Sequence, residues 1–567
     1  MTNTRPLIVQ SDHSLLLEVH HPAFAACRDE IAPFAELEKS PEHVHSYRMT
    51  PLSLWNAASA GWTTEAVLGI LTERSRYPVP ENVVFYVKDT LDRWGQIRLE
   101  PTDRDDVFFL EVDSDRLRAE IAAHKKIGAL LGRLDGHLTV PLSARGTLKQ
   151  DLLRLGYPVQ DLVPLRPGAP LSVALRPTTS EGEPFTIRDY QHDAVTALLG
   201  DGRPGLGYGT IVLPCGSGKT IVGLEILSRV KTNTLILTTN VAAVHQWIDE
   251  LLDKTDLTAD QIGEYTGEHK NVRPVTVATY QVLVWRESKE ADYPHFHLFR
   301  ERPWGLVIYD EVHMLPAPVF RVTAELQAVL RVGLTATLVR EDGAEADVFS
   351  LVGPKRFDVP WKVLEAKGWI AKAFCTEIRI DLPSHLHLPY AVAGQREKFR
   401  LASENPLKIE IVRQLIENHR EDAILVIGQY LDQLQEISRL LKAPLITGST
   451  PNPRREELYA DFRAGKLRVL VVSKVANFAI NLPDASMAIQ VSGSFGSRQE
   501  EAQRLGRILR PKERNSWFYS LVSRSTVEED FSAHRQKFLT EQGYKYTIEL
   551  WDEPLDTPEN HLAQIGS

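Results

Sequence analysis

The chain has 567 residues, 43% of them hydrophobic and 25% charged, ordinary globular usage that excludes collagen-like and broadly disordered polymers and suggests three to four compact units. No apolar run approaches the roughly 18 residues that cross a bilayer, and the three widely spaced cysteines, Cys27, Cys215 and Cys375, exclude a disulfide framework and paired thiolate metal ligands. Acids exceed bases, 75 to 65, for a net charge of −10, so any nucleic acid is met through local patches rather than a general polyanion-coating surface.

The start, MTNTRPLIVQSDHS, carries no basic segment followed by an apolar one, which places the chain inside the cell. Helices are expected at 51–60 and 63–75, then strands at 96–99 and 107–112. Residues 1–100 read as a mainly helical accessory domain, and 101–180 as a small α/β domain that is a candidate for DNA or damage recognition. His43 and His45 in HVH read as a satisfied structural pair rather than metal ligands. SEGEP at 180–184 reads as a linker. Beyond it, strands expected at 211–213, 234–237, 275–278, 306–309, 424–427, 468–472, 488–491 and 517–521 alternate with helical periods, the pattern of parallel sheets covered on both faces. The run is too long for one sheet. Two lobes are expected, 181–375 and 376–548, with a break near 373–381 and a tail at 549–567.

The strand at 211–213 runs into Pro214-Cys215-Gly216-Ser217-Gly218-Lys219-Thr220 and then a helical stretch, the order a phosphate cradle requires. Gly216 and Gly218 permit the tight backbone whose N–H groups and helix N-terminus face phosphate, Lys219 reaches the β/γ-phosphates, and the Thr220 hydroxyl suits Mg²⁺. Leu213 stands where the generic pattern begins with glycine, which favours an ATPase motor over a kinase or GTPase. Ninety-one positions after Lys219, WGLVIYDEVH ends an apolar strand in Asp310-Glu311-Val312-His313. Carboxylates at a strand's C-terminal end lie where open α/β sheets bind ligands, so Asp310 is the metal candidate and Glu311 the base for the attacking water. In the second lobe, SRQEEAQRLGRILRP starts with a capping box at Ser497 and Glu500. Gln503, Arg507 and Arg510 then share one helix face, and the arginines are candidate fingers on a γ-phosphate.

These motifs, with Arg188-Asp-Tyr-Gln191 and Gly333-Leu-Thr335-Ala-Thr337, resemble the superfamily 2 helicase motor. The DEVH form, GLTATLVRED, SKVANFAINLP, QEEAQRLGRILR and, ahead of the motor, HVHSYRMTPLSLWNAASAGW resemble the XPB family of DNA repair and transcription helicases, in its compact prokaryotic form. The resemblance covers most of the chain. It implies two RecA-like motor lobes behind smaller helical and α/β accessory domains, and an ATP- and Mg²⁺-dependent DNA helicase or translocase, usually 3′ to 5′, acting in repair. It implies nucleotide contact by Arg188, Gln191, residues 214–220 and Gln503; coupling through His313, Thr335 and Thr337; and strand separation at Arg340-Glu341-Asp342. A thumb-like insert is expected near 382–405. Asn477 and Asn481 depart from the acids expected in the SKV segment. The implied partners are single-stranded or forked DNA and a nuclease or repair protein, for a monomer in the cytoplasm near the nucleoid, with no membrane.

A motor that walks needs grip without base readout, so phosphate contacts should dominate. Thr238-Thr239-Asn240, Thr279 and Ser473 are small polar groups at expected strand ends, and Lys355-Arg356, 396–400, Arg454-Arg455 and 463–468 are cationic clusters. Trp247, Trp285, Trp304, Trp361 and Trp369 are expected to be packed rather than to stack on bases. Two rival readings remain: an RNA-directed enzyme of the same superfamily, and an ATP-switched clamp on duplex DNA that serves a nuclease or transcription partner.

Overall fold

A computed structural model describes residues 5–39, 43–104, 106–200, 205–214, 216–288, 293–316, 319, 329–336, 345–359, 361–473, 485–493, 515–541, 544 and 546–551. The chain divides into two compact units, 1–213 with 218–359, and 360–567 with the turn 214–217. Among the described residues no helix is long and apolar enough to cross a membrane.

The first unit opens with β1 (Leu7–Val9), β2 (Ser14–Glu18), β3 (Glu36–Lys39) and β4 (Val44–Arg48), an antiparallel sheet in the order β1-β2-β4-β3. The expected helices form beside it as Pro51–Ser59, capped by Thr50, and Thr64–Arg74, capped by Thr63. This first region thus sets a small four-stranded sheet beside its helices, which hold most of its regular structure. His45 is buried beside Phe24 and Tyr47, whereas His43, exposed just ahead of β4, bonds His20 at 2.9 Å, so the two histidines of HVH each have a structural partner.

β5 (Ile97–Pro101), β6 (Val107–Val112), β7 (Gly132–Leu134), β8 (His137–Pro141) and β9 (Val159–Asp161) form a second sheet, β7-β8-β6-β5-β9. The boundary drawn at 100/101 falls inside β5. That strand is held on one side by antiparallel β6 and on the other by parallel β9, a long-range pairing that local pattern does not reveal. Buried Asp161 ends β9, and Arg145 forks its two oxygens at 2.9 and 2.7 Å while Lys149 adds a contact at 3.1 Å. Burial alone would raise the Asp161 pKa, but the Lys149 and Arg145 charges hold it well below the carboxylate range.

Seven parallel strands make the first motor sheet: β10 (Tyr208–Val212), β11 (Thr234–Thr238), β12 (Ile262–Tyr265), β13 (Val275–Thr279), β14 (Leu306–Asp310), β15 (Leu330–Thr335) and β16 (Lys355–Asp358), in the order β12-β13-β11-β14-β15-β10-β16. β10, β11 and β13 are buried along their whole length, as strands covered on both faces must be. SEGEP is a strapped turn rather than a loose linker: Thr178 bridges Pro184, and Ser180 N–H donates to Asp253 at 2.7 Å on the helix Val241–Lys254. Bridges from Arg166, Pro170 and Leu175 to Val329, Thr232 and Thr255 begin this body well before residue 181. At the N-terminal ends of the strands, the Tyr208 hydroxyl donates to the Asp161 carbonyl at 3.0 Å, and the Arg331 and Arg356 guanidinium carbons lie 4.8 and 5.3 Å from the Tyr208 ring.

The second unit holds β17 (Ala373–Ile380), β18 (Ile424–Gly428), β19 (Leu445–Ile446), β20 (Val469–Ser473), β21 (Met487–Gln490), β22 (Ser516–Ser523) and β23 (Tyr546–Leu550), all parallel, in the order β19-β20-β18-β21-β22-β17-β23. The stretch 373–381, read as a break, is instead the strand β17, flanked by β22 and β23. Its buried Glu377 accepts from Ser532 and Gln536, and from Arg379 Nε at 2.8 Å. The tail boundary at 549 falls inside β23. The insert region near 382–405 is a pair of helices, Ser384–Val392 and Gln395–Ser403.

Candidate functional site

β10 delivers the chain to the turn at 214–217. Leu213 N–H donates to the Thr335 carbonyl at 2.9 Å, extending the β10 to β15 ladder, and Ser217 Oγ donates to the Pro214 carbonyl at 2.6 Å. Gly216 and Gly218 have φ of 78° and 82°, where a side chain would be strained. A Cβ on Gly218 would also come 2.6 Å from the Gln191 amide nitrogen, so glycine there lets the loop lie against Gln191. Gly218 is the N-terminal boundary of the helix Lys219–Val230, and Lys219 and half-buried Thr220 are its first residues. Arg188 precedes the helix Asp189–Leu199, and its N–H donates to Gln191 Oε1 at 3.0 Å.

β14 ends at Asp310. Trp247 Nε1 donates to Asp310 Oδ2 at 2.9 Å, Glu311 N–H donates to Oδ1 at 3.1 Å, and the Tyr280 hydroxyl donates to the Asp310 carbonyl at 2.9 Å. Burial, then the neighbouring Glu311 charge, pushes the Asp310 pKa up to about 6. Glu311 sits at φ 49°, ψ 54°, a left-handed conformation uncommon outside glycine and a mark of positions held by their surroundings. Its Oε1 lies 3.4 Å from Lys219 Nζ, while its buried Oε2, 3.4 Å from His313 Nδ1, makes no hydrogen bond among the described residues. Burial would raise the Glu311 pKa, but the charges of Lys219 and His313 outweigh it and hold the group below its ordinary value. His313 Nδ1 is 2.7 Å from Thr335 Oγ1, so the carboxylates, the histidine and the β15 threonine form one group at the C-terminal edge of the sheet.

The structure therefore brings together Gln191, Gly218, Lys219, Asp310, Glu311, His313 and Thr335. Cys215, Thr337, Arg340, Glu341, Asp342, Asn477, Asn481, Gln503, Arg507 and Arg510 lie outside the described residues. A buried carboxylate oxygen without a hydrogen bond, beside a lysine, leaves polar capacity at this edge of the sheet that the described residues do not use. Two further residues were not singled out for this site. Trp247 is packed as expected, yet its indole N–H also orients Asp310; a buried tryptophan N–H needs a partner, and that was the available signal. Tyr280 had no signal at all. Thr279 and Asn240 cap helices, accepting from Val282 N–H and Ala243 N–H. Trp304 and Trp361 are buried and Trp369 half-buried, but Trp285 is 55% exposed, against expectation.

Comparison with known proteins gives the same picture. The family model described as ERCC3/RAD25/XPB C-terminal helicase matches residues 364–563, one described as helicase conserved C-terminal domain matches 7–135, and one described as type III restriction enzyme, res subunit, matches 184–340. The chain is 51% identical to the DNA 3'-5' helicase XPB of Kineococcus radiotolerans, over 96% of each chain. It is 49% identical to the DNA 3'-5' helicase XPB of Mycobacterium tuberculosis, over 97% of this chain and 98% of that one. To the general transcription and DNA repair factor IIH helicase/translocase subunit XPB of Encephalitozoon cuniculi it is 33% identical, over 98% of this chain and 84% of that one. Sharing residues at this level along nearly its whole length, with a nucleotide-type loop facing a paired carboxylate, the chain belongs to the XPB family of helicases.

Proposed function

We propose that this protein is an ATP-dependent DNA helicase or translocase of 3′ to 5′ polarity that acts in DNA repair. The observation that carries the reading is the pairing of Lys219 with Glu311 at 3.4 Å, with Glu311 Oε2 left unbonded beside Asp310. Backbone N–H groups of 216–220 and Lys219 would bind the phosphates, and the Gln191 amide against Gly218 would meet the base. Glu311, kept ionised by Lys219 and His313, would orient the attacking water and take its proton. Thr220 and Asp310 would hold Mg²⁺, which when bound neutralises charge developing on the phosphates. Gln503, Arg507 and Arg510 would complete the site from the second lobe. His313 and Thr335 would couple the site to lobe movement, and Arg340, Glu341 and Asp342 would act in strand separation. The helix pair 384–403 would serve as the thumb-like element. A monomer working in the cytoplasm with a nuclease or repair partner fits this reading.

ATP turnover measured alone, with DNA and with RNA, together with strand displacement on tailed, forked and blunt duplexes, tests the proposal. Stimulation by DNA and displacement from a 3′ tail are expected, both lost in Lys219→Ala. Stimulation by RNA alone would favour an RNA-directed enzyme; robust hydrolysis without displacement would favour a clamp. Retained turnover in Lys219→Ala would overturn the site.

A further inference from the structure

The indole of Trp285 follows the helix Tyr280–Val284, which leaves the C-terminal end of β13 at Thr279. Most of the large rings around it are buried or hydrogen-bonded. Tyr265 is buried, and its hydroxyl is 2.9 Å from His295 Nδ1 and 3.5 Å from His297 Nε2. His297 Nδ1 in turn donates to the Pro294 carbonyl at 2.6 Å, which fixes that ring. The His295 ring lies 6.0 Å from Trp285, tilted by 53°. Next to this rack, Tyr293 stacks on Phe296 at 4.7 Å, and the Arg286 guanidinium lies 5.1 Å from the Tyr293 ring. One large aromatic surface is thus left open to solvent on a support whose rings are already fixed, with half-buried Arg286 immediately beyond it.

We propose that Trp285 is a stacking platform for a base of the DNA strand that the motor tracks, with Arg286 meeting an adjoining phosphate. The inference rests on the DNA-motor reading and extends it to a residue that reading does not use. Three observations favour a nucleic-acid base as the occupant. The platform stands beyond the same strand-end edge that carries Asp310, since Thr279 pairs with Thr238 in the sheet and the Tyr280 hydroxyl donates to the Asp310 carbonyl. Arg286, the next residue in the chain, supplies a cation suited to phosphate and is itself steadied by the Tyr293 ring. The platform's setting also suits stacking: the exposed indole has the His295 ring beside it, itself bonded to Tyr265, and stacking accepts any base, as a walking motor requires. The short helix Tyr280–Val284 spans from the Tyr280 hydroxyl, which meets the carboxylate strand, to the platform that follows it.

The full-length protein tests this with an oligo-dT strand, the same strand carrying abasic sites, and the variants Trp285→Ala and Trp285→Phe. The wild type is expected to prefer the base-bearing strand. Trp285→Ala should weaken oligo-dT binding by roughly 5- to 150-fold, the factor that corresponds to a stacked base, and should narrow the preference over the abasic strand by a similar factor. Trp285→Phe should keep most of both. ATP turnover without DNA and the thermal midpoint should be unchanged in both variants, because the indole is exposed and touches no group of the nucleotide site. Equal affinity of Trp285→Ala and wild type for oligo-dT would overturn the platform and leave the indole to a protein partner. Equal loss on base-bearing and abasic strands would overturn stacking in favour of a structural effect. A wild type that neither binds DNA nor is stimulated by it would overturn the DNA-motor reading itself, a result distinct from failure of the platform alone.

Discussion

Two carboxylates, one in each motor unit, are treated in opposite ways. Glu528 in the second unit is saturated: Lys408 Nζ donates to its two oxygens at 2.9 and 2.8 Å, and Ser523 N–H adds a bond at 2.9 Å. Glu311 in the first has a lysine at 3.4 Å and one oxygen with no hydrogen bond. Both sheets have the same parallel seven-stranded plan, so architecture does not account for the difference. A saturated buried charge holds a fold together; one left incomplete on a left-handed residue keeps capacity for something that arrives later.

The contrast is broken most strongly at Glu311. Glu311→Gln should lower ATP turnover by about 10²- to 10⁴-fold, the range of a lost general base, while melting at or above the wild-type temperature. A melting temperature that falls with turnover would make Glu311 a structural residue like Glu528. Lys408→Met should do the reverse, destabilising the second unit by about 3–5 kcal/mol because it strands a buried carboxylate. Denaturant titration measures this, and Lys408→Met with Glu528→Leu should recover much of the loss.

A pH titration sharpens the comparison at Lys149, a buried amine among Asp161, Arg145 and Arg331. Burial, reinforced by those guanidiniums, lowers its pKa to about 7 from an ordinary 10.5. The unfolded chain keeps this proton at pH values where the folded protein has released it. Stability relative to Lys149→Met should therefore rise between about pH 7 and pH 10, by about 1 kcal/mol per unit at most. A pH-independent difference would mean that the amine stays charged. The smallest change expected is Trp247→Phe, which keeps the ring but removes the indole N–H on Asp310; turnover should fall about threefold to tenfold, in line with the net worth of one ordinary hydrogen bond, about 0.5–1.5 kcal/mol.

Much of the first motor sheet was legible because its strands are short continuous apolar runs that end in turn residues. β11, β13 and β14 lie within a residue of expectation. The loop at 214–220 and Asp310-Glu311 were legible because phosphate chemistry demands particular residue types at particular spacings. What escaped depends on contacts distant in the chain. β5 is completed by β9 from some sixty positions away, and the buried Glu377 of β17 is met by Ser532 and Gln536 from far along the chain as well as by Arg379 two residues on. Trp285 looked like its packed neighbours, since composition does not tell an indole inside a helix face from one just past a helix end.

Tyr208 and Arg331 have a mechanical consequence. They stand at the trailing ends of two neighbouring strands, β10 and β15, whose leading ends run to the glycine loop and Thr335; Tyr208 is anchored to the Asp161 carbonyl of the preceding domain, and the Arg331 guanidinium lies over the Tyr208 ring. A hydrogen-bonded strand of five residues is a nearly inextensible strut of about 17 Å. A tug on the amino-terminal region is carried along that strut as tension as far as Leu213, the residue that precedes the glycine turn.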